Sequence, residues 1–395
     1  MISLPEKSDC CGCSACYNIC PVNAIEMQAD QEGFAYPAVD GSICVKCGKC
    51  VNACPVCIGE SQSEDDKTKA YWAINNDEKT RNESSSGGVF SVLAEKTLKN
   101  GGVVFGAAMS DNMRSVNHIC ISCSDDLPVL RGSKYMQSDI SDMYRSVREY
   151  LDKNVEVLFS GAPCQIEGLL AFLGKDYDNL LCVDFICHGV PSVRVWNKYV
   201  DFVERKQGSG IRSVNFRSKA HGWHTISVSF SFEDGSKYES KESDDLFMKA
   251  FLNDVCLRPS CYKCRFKKIH RKSDVTLADF WGVDKLFPEI DDDKGTSLLM
   301  IHSEKGNRIF ELSSDKIKSG EVDIKTVAIY NAAMIKSSPV NKNRTQFFSG
   351  LESKKFDKLV NKYAKPSLYR RIRRKLGKIK NSILKQTTKK AERFK

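Results

Sequence analysis

CCGCSACYNICP at residues 10–21 and CVKCGKCVNACP at residues 44–55 are the two stretches that organise this chain. Each contains four cysteines at the spacing C-x2-C-x2-C-x3-C, and a proline follows the fourth cysteine. At this spacing the first three thiolates hold one 4Fe-4S cluster, whereas the fourth ligates the cluster of the other stretch. The expected ligand sets are Cys10, Cys13 and Cys16 with Cys54, and Cys44, Cys47 and Cys50 with Cys20.

Two other uses of cysteine compete with the clusters, namely a zinc ribbon and a disulfide framework. The doubled spacing with its two prolines favours clusters, and it resembles that of the bacterial-type ferredoxins with two clusters. Ten of the 18 cysteines precede residue 58, and Cys11 and Cys57 are surplus to the eight ligands, so we expect both to be spare thiols. Cluster thiolates must stay reduced, which favours a cytoplasmic location.

Length and composition limit the classes of fold and function that the chain can have. The 395 residues are 41% hydrophobic, which is enough for one large core and a small appended domain. We expect no signal peptide and no membrane span, because the first residues lack a basic flank and no run of about 18 apolar residues occurs. No Ser-His-Asp or paired-carboxylate spacing favours hydrolysis.

The carboxyl end carries the basic charge. The net charge is +10, but residues 365–395 alone hold 13 Lys or Arg and one acid, so the remaining chain is nearly neutral. Leu368, Ile372, Leu376, Ile379 and Ile383 fall on one helical face. The pattern predicts an amphipathic helix on an anionic membrane surface at the inner face of the membrane. A helix packed on the body or a partner is the alternative, and the neutral body argues against nucleic-acid binding.

The middle of the chain alternates between helix and strand. Residues 142–174 predict a helix, a strand and a helix, and residues 179–187 predict the next strand. Two apolar strands separated by a helix indicate parallel pairing in an α/β sheet, whose ligands bind at the carboxyl ends of the strands. Residues 225–240 predict a hairpin, so later strands are antiparallel.

Three cysteines, Cys256, Cys261 and Cys264, lie within nine residues and indicate a third cluster, a zinc knot or a cysteine-rich loop without a metal. A cluster needs a fourth ligand, for which Cys187 and Cys164 are the candidates at turns. His188 and Lys134 are candidate proton donors, although a hydrogen-bonded turn histidine and a phosphate-binding or loop lysine are the more ordinary explanations of these residues.

Several motifs in order carry a family resemblance: SSSGGVFSVLAE, RGSKYMQSDI, VLFSGAPCQIEGLL, CLRPSCYKCRFK, TLADFWGV and DDKGTSL. Together, over residues 69–345, they resemble the beta-subunit family of the coenzyme F-420 hydrogenases and dehydrogenases. Its members are iron–sulfur flavoproteins that bind FAD. Bacterial members with a fused ferredoxin domain often resemble proteins encoded among genes of surface-polysaccharide biosynthesis.

The resemblance implies where the cofactors bind. It points to Cys187, Cys256, Cys261 and Cys264 as ligands of the core cluster, with Cys164 competing for the same role. The implied flavin-site residues are Ser86, Gly87, Gly88, Gly132, Ser133, Lys134, Tyr135, Ser160, Gly161, Pro163, Cys164 and Gln165. Their glycine turns and helix start suit close approach to a ligand.

The predicted fold class is α+β, with four parts. They are a ferredoxin-like domain with two 4Fe-4S clusters at residues 1–58, a linker at 59–68, a larger α/β flavin-binding domain with a mixed sheet at 69–345, and the basic tail at 346–395. The predicted function is an FAD-dependent iron–sulfur oxidoreductase acting on a small organic substrate or coenzyme, with ferredoxin or another redox protein as partner. The alternative is a non-catalytic electron-transfer subunit that serves a partner enzyme.

Overall fold

The structure, a computed structural model, describes residues 4–59 and 68–365. In these ranges the strands are β1 Ile25–Ala29, β2 Ala35–Val39, β3 Lys69–Asn75, β4 Val103–Met109, β5 Val116–Ile121, β6 Val157–Ser160, β7 Leu180–Phe185, β8 Ile211–Ser218, β9 Ser227–Phe232, β10 Lys237–Lys241, β11 Val275–Asp279, β12 Ser297–Ile301 and β13 Ile317–Glu321. The α-helices are α1 Ala15–Ile19, α2 Lys49–Asn52, α3 Glu78–Glu83, α4 Val89–Lys99, α5 Leu127–Leu130, α6 Met143–Asp152, α7 Pro163–Leu173, α8 Val193–Gln207, α9 Leu246–Leu252, α10 Val283–Leu286, α11 Glu304–Glu311, α12 Ile324–Tyr330, α13 Arg344–Ser349 and α14 Phe356–Tyr363.

A mixed sheet of eight strands forms the centre of the larger region, in the order β13-β3-β12-β11-β7-β6-β4-β5. Strands β4, β6, β7 and β11 pair in parallel, and the other pairings are antiparallel. The predicted parallel pairing of β6 and β7 and the predicted mixed sheet are therefore confirmed. Strands covered on both faces are largely apolar, as residues 298–301 of the fully buried β12 are.

The topology brings distant turns to one edge of this sheet. Strands β3, β6, β7 and β11 all run the same way, so their carboxyl ends lie together, and the antiparallel β12 begins at that edge. The turns after β6 and β7 carry Cys164 and Cys187, as expected. Asp279, the last residue of β11, also lies there. This edge holds the candidate site.

A second core forms around the antiparallel sheet β10-β9-β8, which contains the predicted hairpin. Helices α8 and α9 cover this sheet, and α14 packs against both helices. The fully buried Phe347 and Leu359 belong to this core. Residues 346–365 are thus part of the body, although the sequence analysis assigned them to the basic tail. In the sequence these residues were grouped with the strongly basic segment that follows them.

The amino-terminal region packs directly on the large sheet region. Ala15 is fully buried in a cluster with Phe159 and Ile166. Helix α1 approaches α7 so closely that a Cβ added to Gly168 would lie 2.9 Å from the Sγ atom of Cys13. Glycine at this position is what allows the contact. The two regions therefore share a core instead of being joined only through residues 59–68.

The predicted linker lies almost entirely, and the predicted membrane helix entirely, outside the described residues. Within residues 4–59 and 68–365, no helix combines the length and the apolar character needed to cross a membrane.

Candidate iron–sulfur and flavin site

Four thiols from both cysteine stretches surround one cavity, which we call the proximal cavity. It is lined by Cys10, Cys13, Cys16 and Cys54 and has about 330 Å³ of empty space. These four cysteines are buried. Cys54 comes from the second stretch, so the structure brings together the exchanged set that the spacing predicts.

The other four thiols surround a second cavity of nearly equal size, about 300 Å³, which we call the distal cavity. It is lined by Cys20, Cys44, Cys47 and Cys50. The backbone N–H of Ala24 donates a hydrogen bond to the Sγ atom of Cys20 over 3.2 Å. Hydrogen bonds of this kind to the ligating sulfurs tune cluster potentials.

The arrangement of these thiols fits a cluster better than a single metal ion. Among residues 4–59 and 68–365, no three His, Cys, Asp or Glu side chains converge closely enough to hold one ion. A zinc ion would require four ligands about 2.3 Å from its centre. The thiols instead stand around cavities, as ligands of a multi-atom cluster do.

A third cavity, the core cavity, lies where the amino-terminal region meets the carboxyl edge of the large sheet. It is lined by Cys164, Cys187, Cys261 and Cys264. An antiparallel bridge between Pro191 and Leu257 holds the two cysteine-bearing segments side by side. The N–H of Val190 donates to the Sγ atom of Cys261 over 3.4 Å.

Cys256 is not part of this cavity, although the sequence analysis included it in the core set. It is fully buried in the second hydrophobic core, and its carbonyl oxygen accepts a hydrogen bond from the N–H of Ser192. Only four residues separate Cys256 from Cys261, but Leu257 bridges to Pro191 and the short 3-10 helix Pro259–Lys263 begins between the two cysteines. Cys164, the competing candidate, lines the cavity in its place.

Basic side chains accompany the core thiols. Burial raises the pKa of Cys187, while Lys267 and Arg271 act in the opposite direction. Lys267 and Arg271 both line the cavity. Lys267 Nζ also donates to the carbonyl oxygen of Cys187 over 2.7 Å. These cations fit a negatively charged group held by four thiolates.

Cys11, which the sequence analysis treated as a spare thiol, lines both the proximal and the core cavity. Its thiol contacts the thiols of Cys13 and Cys164. Burial of Cys11 against α7 could not be foreseen, because no local pattern shows that α1 packs on that helix.

The structure brings together two of the three turns proposed for the flavin. The Oγ atom of Ser85 accepts hydrogen bonds from the N–H of Ser133 over 2.7 Å and from its hydroxyl over 3.0 Å. The loop of Ser86–Gly88 thereby meets that of Gly132–Tyr135. The third turn, Ser160–Gln165, belongs with the core cavity, because Pro163 and Cys164 line it.

The protein's own packing and backbone conformation require the two glycines of the first turn. A Cβ added to Gly87 would lie 2.4 Å from the carbonyl oxygen of Ala73, and Gly88 adopts a φ of +81°. Packing and backbone conformation therefore require glycine here whether or not a ligand binds. Replacing these residues would test folding, not flavin binding.

A buried arginine provides a test of whether a flavin fits. Arg217 on β8 pairs with Asp279 over 2.7 Å, and its other terminal nitrogen, Nη2, is buried without a hydrogen-bond partner in the described structure. The hydroxyl of Tyr135 lies against the same guanidinium. An orphaned cationic donor beside Tyr135 suits an acceptor such as a flavin carbonyl or phosphate. No local pattern in the sequence marks Arg217, since only folding brings β8 to this edge.

The two candidate proton donors have defined partners. The Nε2 atom of His188 lies 2.8 Å from a carboxylate oxygen of the buried Asp254. Lys134 Nζ donates to the carbonyl oxygens of Val129 and Arg131, and burial lowers the pKa of Lys134 to about 7. His188 follows a core-cavity thiol directly, whereas Lys134 is bound to its own loop.

Comparison with known proteins finds two family models that match separate parts of the chain. Residues 155–326 match the family defined by the C terminus of the beta subunit of coenzyme F420 hydrogenase/dehydrogenase, and residues 9–58 match the 4Fe-4S dicluster domain. No curated protein matches the chain. A chain in the xenon-derivatised F420-reducing NiFe hydrogenase complex from Methanosarcina barkeri is 15% identical, with a TM-score of 0.47, and the match covers 71% of this chain and 91% of that chain.

The two family matches fall on the regions that carry the thiols. The dicluster match contains the proximal and distal sets, and the beta-subunit match contains all four core-cavity cysteines. We conclude that the chain carries a 4Fe-4S dicluster domain at residues 9–58 and that residues 155–326 resemble the carboxyl-terminal region of the coenzyme F420 hydrogenase/dehydrogenase beta subunit.

Proposed function

We propose that this protein is an FAD-dependent oxidoreductase that exchanges single electrons with a redox protein and reduces or oxidises a small organic substrate or coenzyme. Surface-polysaccharide biosynthesis is the proposed setting, on the resemblance to bacterial members alone. The observation that carries the proposal is the position of Cys11, whose thiol contacts Cys13 of the proximal set and Cys164 of the core set.

This contact supports a continuous series of redox sites. The proximal and distal cavities exchange ligands, since Cys20 and Cys54 each lie in the cavity of the other stretch. The proximal cavity adjoins the core cavity through Cys11. When bound, 4Fe-4S clusters carry single electrons and FAD accepts one or two, which couples single-electron transfer to hydride chemistry.

The proposed residues have distinct tasks. Cys164, Cys187, Cys261 and Cys264 would hold the core cluster, with Lys267 and Arg271 offsetting its charge. Ser133, Tyr135 and Arg217 would bind and orient FAD. His188 would hold a proton at Nε2 or Nδ1, with Asp254 fixing the orientation of the imidazole ring.

Anaerobic purification tests the cofactor content directly. We expect about twelve irons per chain, with matching sulfide, because three clusters of four irons each would be ligated. We also expect one FAD per chain. Tight stoichiometric zinc without a 4Fe-4S spectrum would disprove the cluster assignment.

Electron transfer separates the enzyme from the non-catalytic carrier. Reduced ferredoxin should bleach the bound flavin of the enzyme. A protein whose clusters become reduced while its flavin stays oxidised lacks the proposed path. A protein that binds no flavin and shows no activity with a small dye acceptor is a carrier instead.

A further inference from the structure

The distal cavity has the most exposed thiols of the three. Cys47 is exposed and Cys20 and Cys44 are partly exposed, whereas all four cysteines of the proximal set are buried. Among the twelve proposed ligands, all of which lie in the described part of the chain, Cys47 is the only exposed one. Electrons that enter or leave the ferredoxin region would therefore do so most directly at this cavity.

Apolar side chains are exposed around the same cavity. Five of the eleven large exposed hydrophobic residues of the described chain lie within residues 22–58, a small fraction of its length. Val22, Val39 and Val45 line the cavity itself with 38%, 38% and 59% exposure, and Ile43, beside Cys44, is 48% exposed. Such clustering of exposed apolar side chains is typical of an interaction surface.

Two lysines give this surface its charge. Lys46 lines the cavity and Lys49 begins α2, and both side chains are exposed. Among the residues that the structure describes, no Asp or Glu lines the cavity. Two exposed acids, Asp40 and Glu26, lie next in sequence to lining residues, and Asp40 accepts hydrogen bonds from the N–H and hydroxyl of Ser42. The described lining of the cavity itself therefore carries positive charge only.

We propose that Val22, Val39, Ile43, Val45, Lys46 and Lys49 form a docking surface for a small acidic electron-carrier protein of the ferredoxin type. This inference rests on the proposed function and specifies where its redox partner binds. The carrier loses one electron and this chain gains it at the distal cluster, with no bond formed or broken. The reverse transfer uses the same contact.

The size and composition of the surface suit a transient complex. Electron-transfer complexes are among the smallest protein interfaces, below about 1,200 Å². Their apolar centre excludes water, while opposite charges at the rim steer the encounter and accelerate association by about 10 to 1,000-fold at low salt. A strongly bound subunit would bury a larger apolar area.

Stopped-flow reduction of the anaerobically purified full-length protein tests the surface. The probe is a purified, pre-reduced acidic ferredoxin with two 4Fe-4S clusters, and cluster bleaching gives the second-order rate constant. The variant Lys46→Glu/Lys49→Glu reverses both charges. The control Lys318→Glu/Lys325→Glu makes the same change in net charge at two exposed residues of β13 and α12.

We expect the docking variant to be reduced at least about tenfold more slowly than the wild type at low ionic strength. The difference should shrink as salt is added. Dithionite, a small reductant that needs no docking surface, should reduce both variants fully, which shows that their clusters are intact. Equal slowing of both variants, an unchanged rate constant in the docking variant, or a wild type that the ferredoxin does not reduce would each overturn the proposal.

The apolar part of the surface has its own test. Val45→Ser should raise the ferredoxin concentration needed for half-maximal reduction, because the side chain leaves the centre of the contact. Val340→Ser, at a residue with 66% exposure in the second half of the chain, is the matched control. If the two replacements have equal effects, Val45 does not contact the carrier.

Discussion

The guanidinium of Arg258 donates a hydrogen bond to the backbone carbonyl oxygen of Cys10 over 2.9 Å. Arg258 precedes Cys261 by three residues, so this bond joins a segment of the core cavity to the first ligand of the proximal cavity. The same side chain, only 1% exposed, also donates to Ala35 and Gln137. One buried arginine thus connects the amino-terminal region to the region that carries the core cavity.

Replacing Arg258 with Met should destabilise the whole protein. The change leaves three acceptors in the interior without their donor, at about 1–3 kcal/mol for each buried group. We expect the free energy of unfolding to fall by at least about 3 kcal/mol, measured by urea unfolding under anaerobic conditions. The exposed Arg205→Met on α8 is the control and should change it by about 0.5 kcal/mol or less. Similar midpoints for the two variants would show that Arg258 does not hold the regions together.

Iron content should distinguish Cys164 from Cys256. Cys164→Ser should lose about four of about twelve irons, because serine replaces one core ligand. Cys256→Ser should keep all of them, since Cys256 lies in the hydrophobic core outside the cavity. Iron and sulfide per chain give the answer, with the double variant Cys261→Ser/Cys264→Ser as reference for the loss of the core cluster. Iron loss in the Cys256 variant alone would return that residue to the ligand set.

Flavin retention should depend on Arg217. Arg217→Met removes a charged donor worth about 1.5–3 kcal/mol, which corresponds to flavin binding about 10 to 100-fold weaker. Arg217→Lys keeps the charge beside Asp279 and should restore part of the affinity. Arg212→Met, an exposed position on the same strand, is the control. Flavin fluorescence titration measures the dissociation constant, and wild-type affinity in Arg217→Met would remove Arg217 from the flavin site.

Acid should destabilise the fold through a buried histidine. The ring of His302 contacts the hydroxyls of Thr68 and Thr276, and burial lowers the pKa of His302 to about 3. In the unfolded chain the pKa of His302 is near 6.5, so between about pH 3 and pH 6.5 the unfolded chain binds more protons at this residue than the folded chain does. Stability should therefore fall as the pH drops below 6.5, by up to about 1.4 kcal/mol per pH unit for this group. Urea unfolding at pH 6.5 and 5.0 should show a smaller difference in His302→Gln than in the wild type. Equal differences would mean that His302 does not cause the loss.

The basic tail remains a prediction from sequence, because residues 366–385 lie outside the described chain. We expect the full-length protein to sediment with anionic liposomes and a form ending at Lys365 to stay in solution. Each basic residue near anionic lipid contributes about 1 kcal/mol, so added salt should release the protein. Neutral liposomes are the control. Binding that ignores lipid charge would contradict the membrane assignment.

Much of the fold followed from local patterns. The helix–strand–helix of residues 142–174 and the hairpin of β9 and β10 were predicted because each follows from apolar periodicity and turn residues within one segment. The parallel pairing of β6 and β7 followed from the helix between them. The boundary at residue 346 did not follow, because Phe347 and Leu359 are buried in a core that α14 joins by packing on α8 and α9, which are distant in sequence.

The sequence alone determined the proximal and distal thiol sets. Three ligands of each set lie within seven residues of one another, and the repeat of the motif indicates the exchanged fourth ligand. Only the tertiary structure decided the core set, since Cys164, Cys187 and Cys261 follow three separate elements and meet because the sheet places their turns at one edge. The same long-range packing placed Cys11 between two cavities and Arg217 beside Tyr135. Spacing specifies ligands within one segment, whereas strand order and domain contacts determine which distant segments meet.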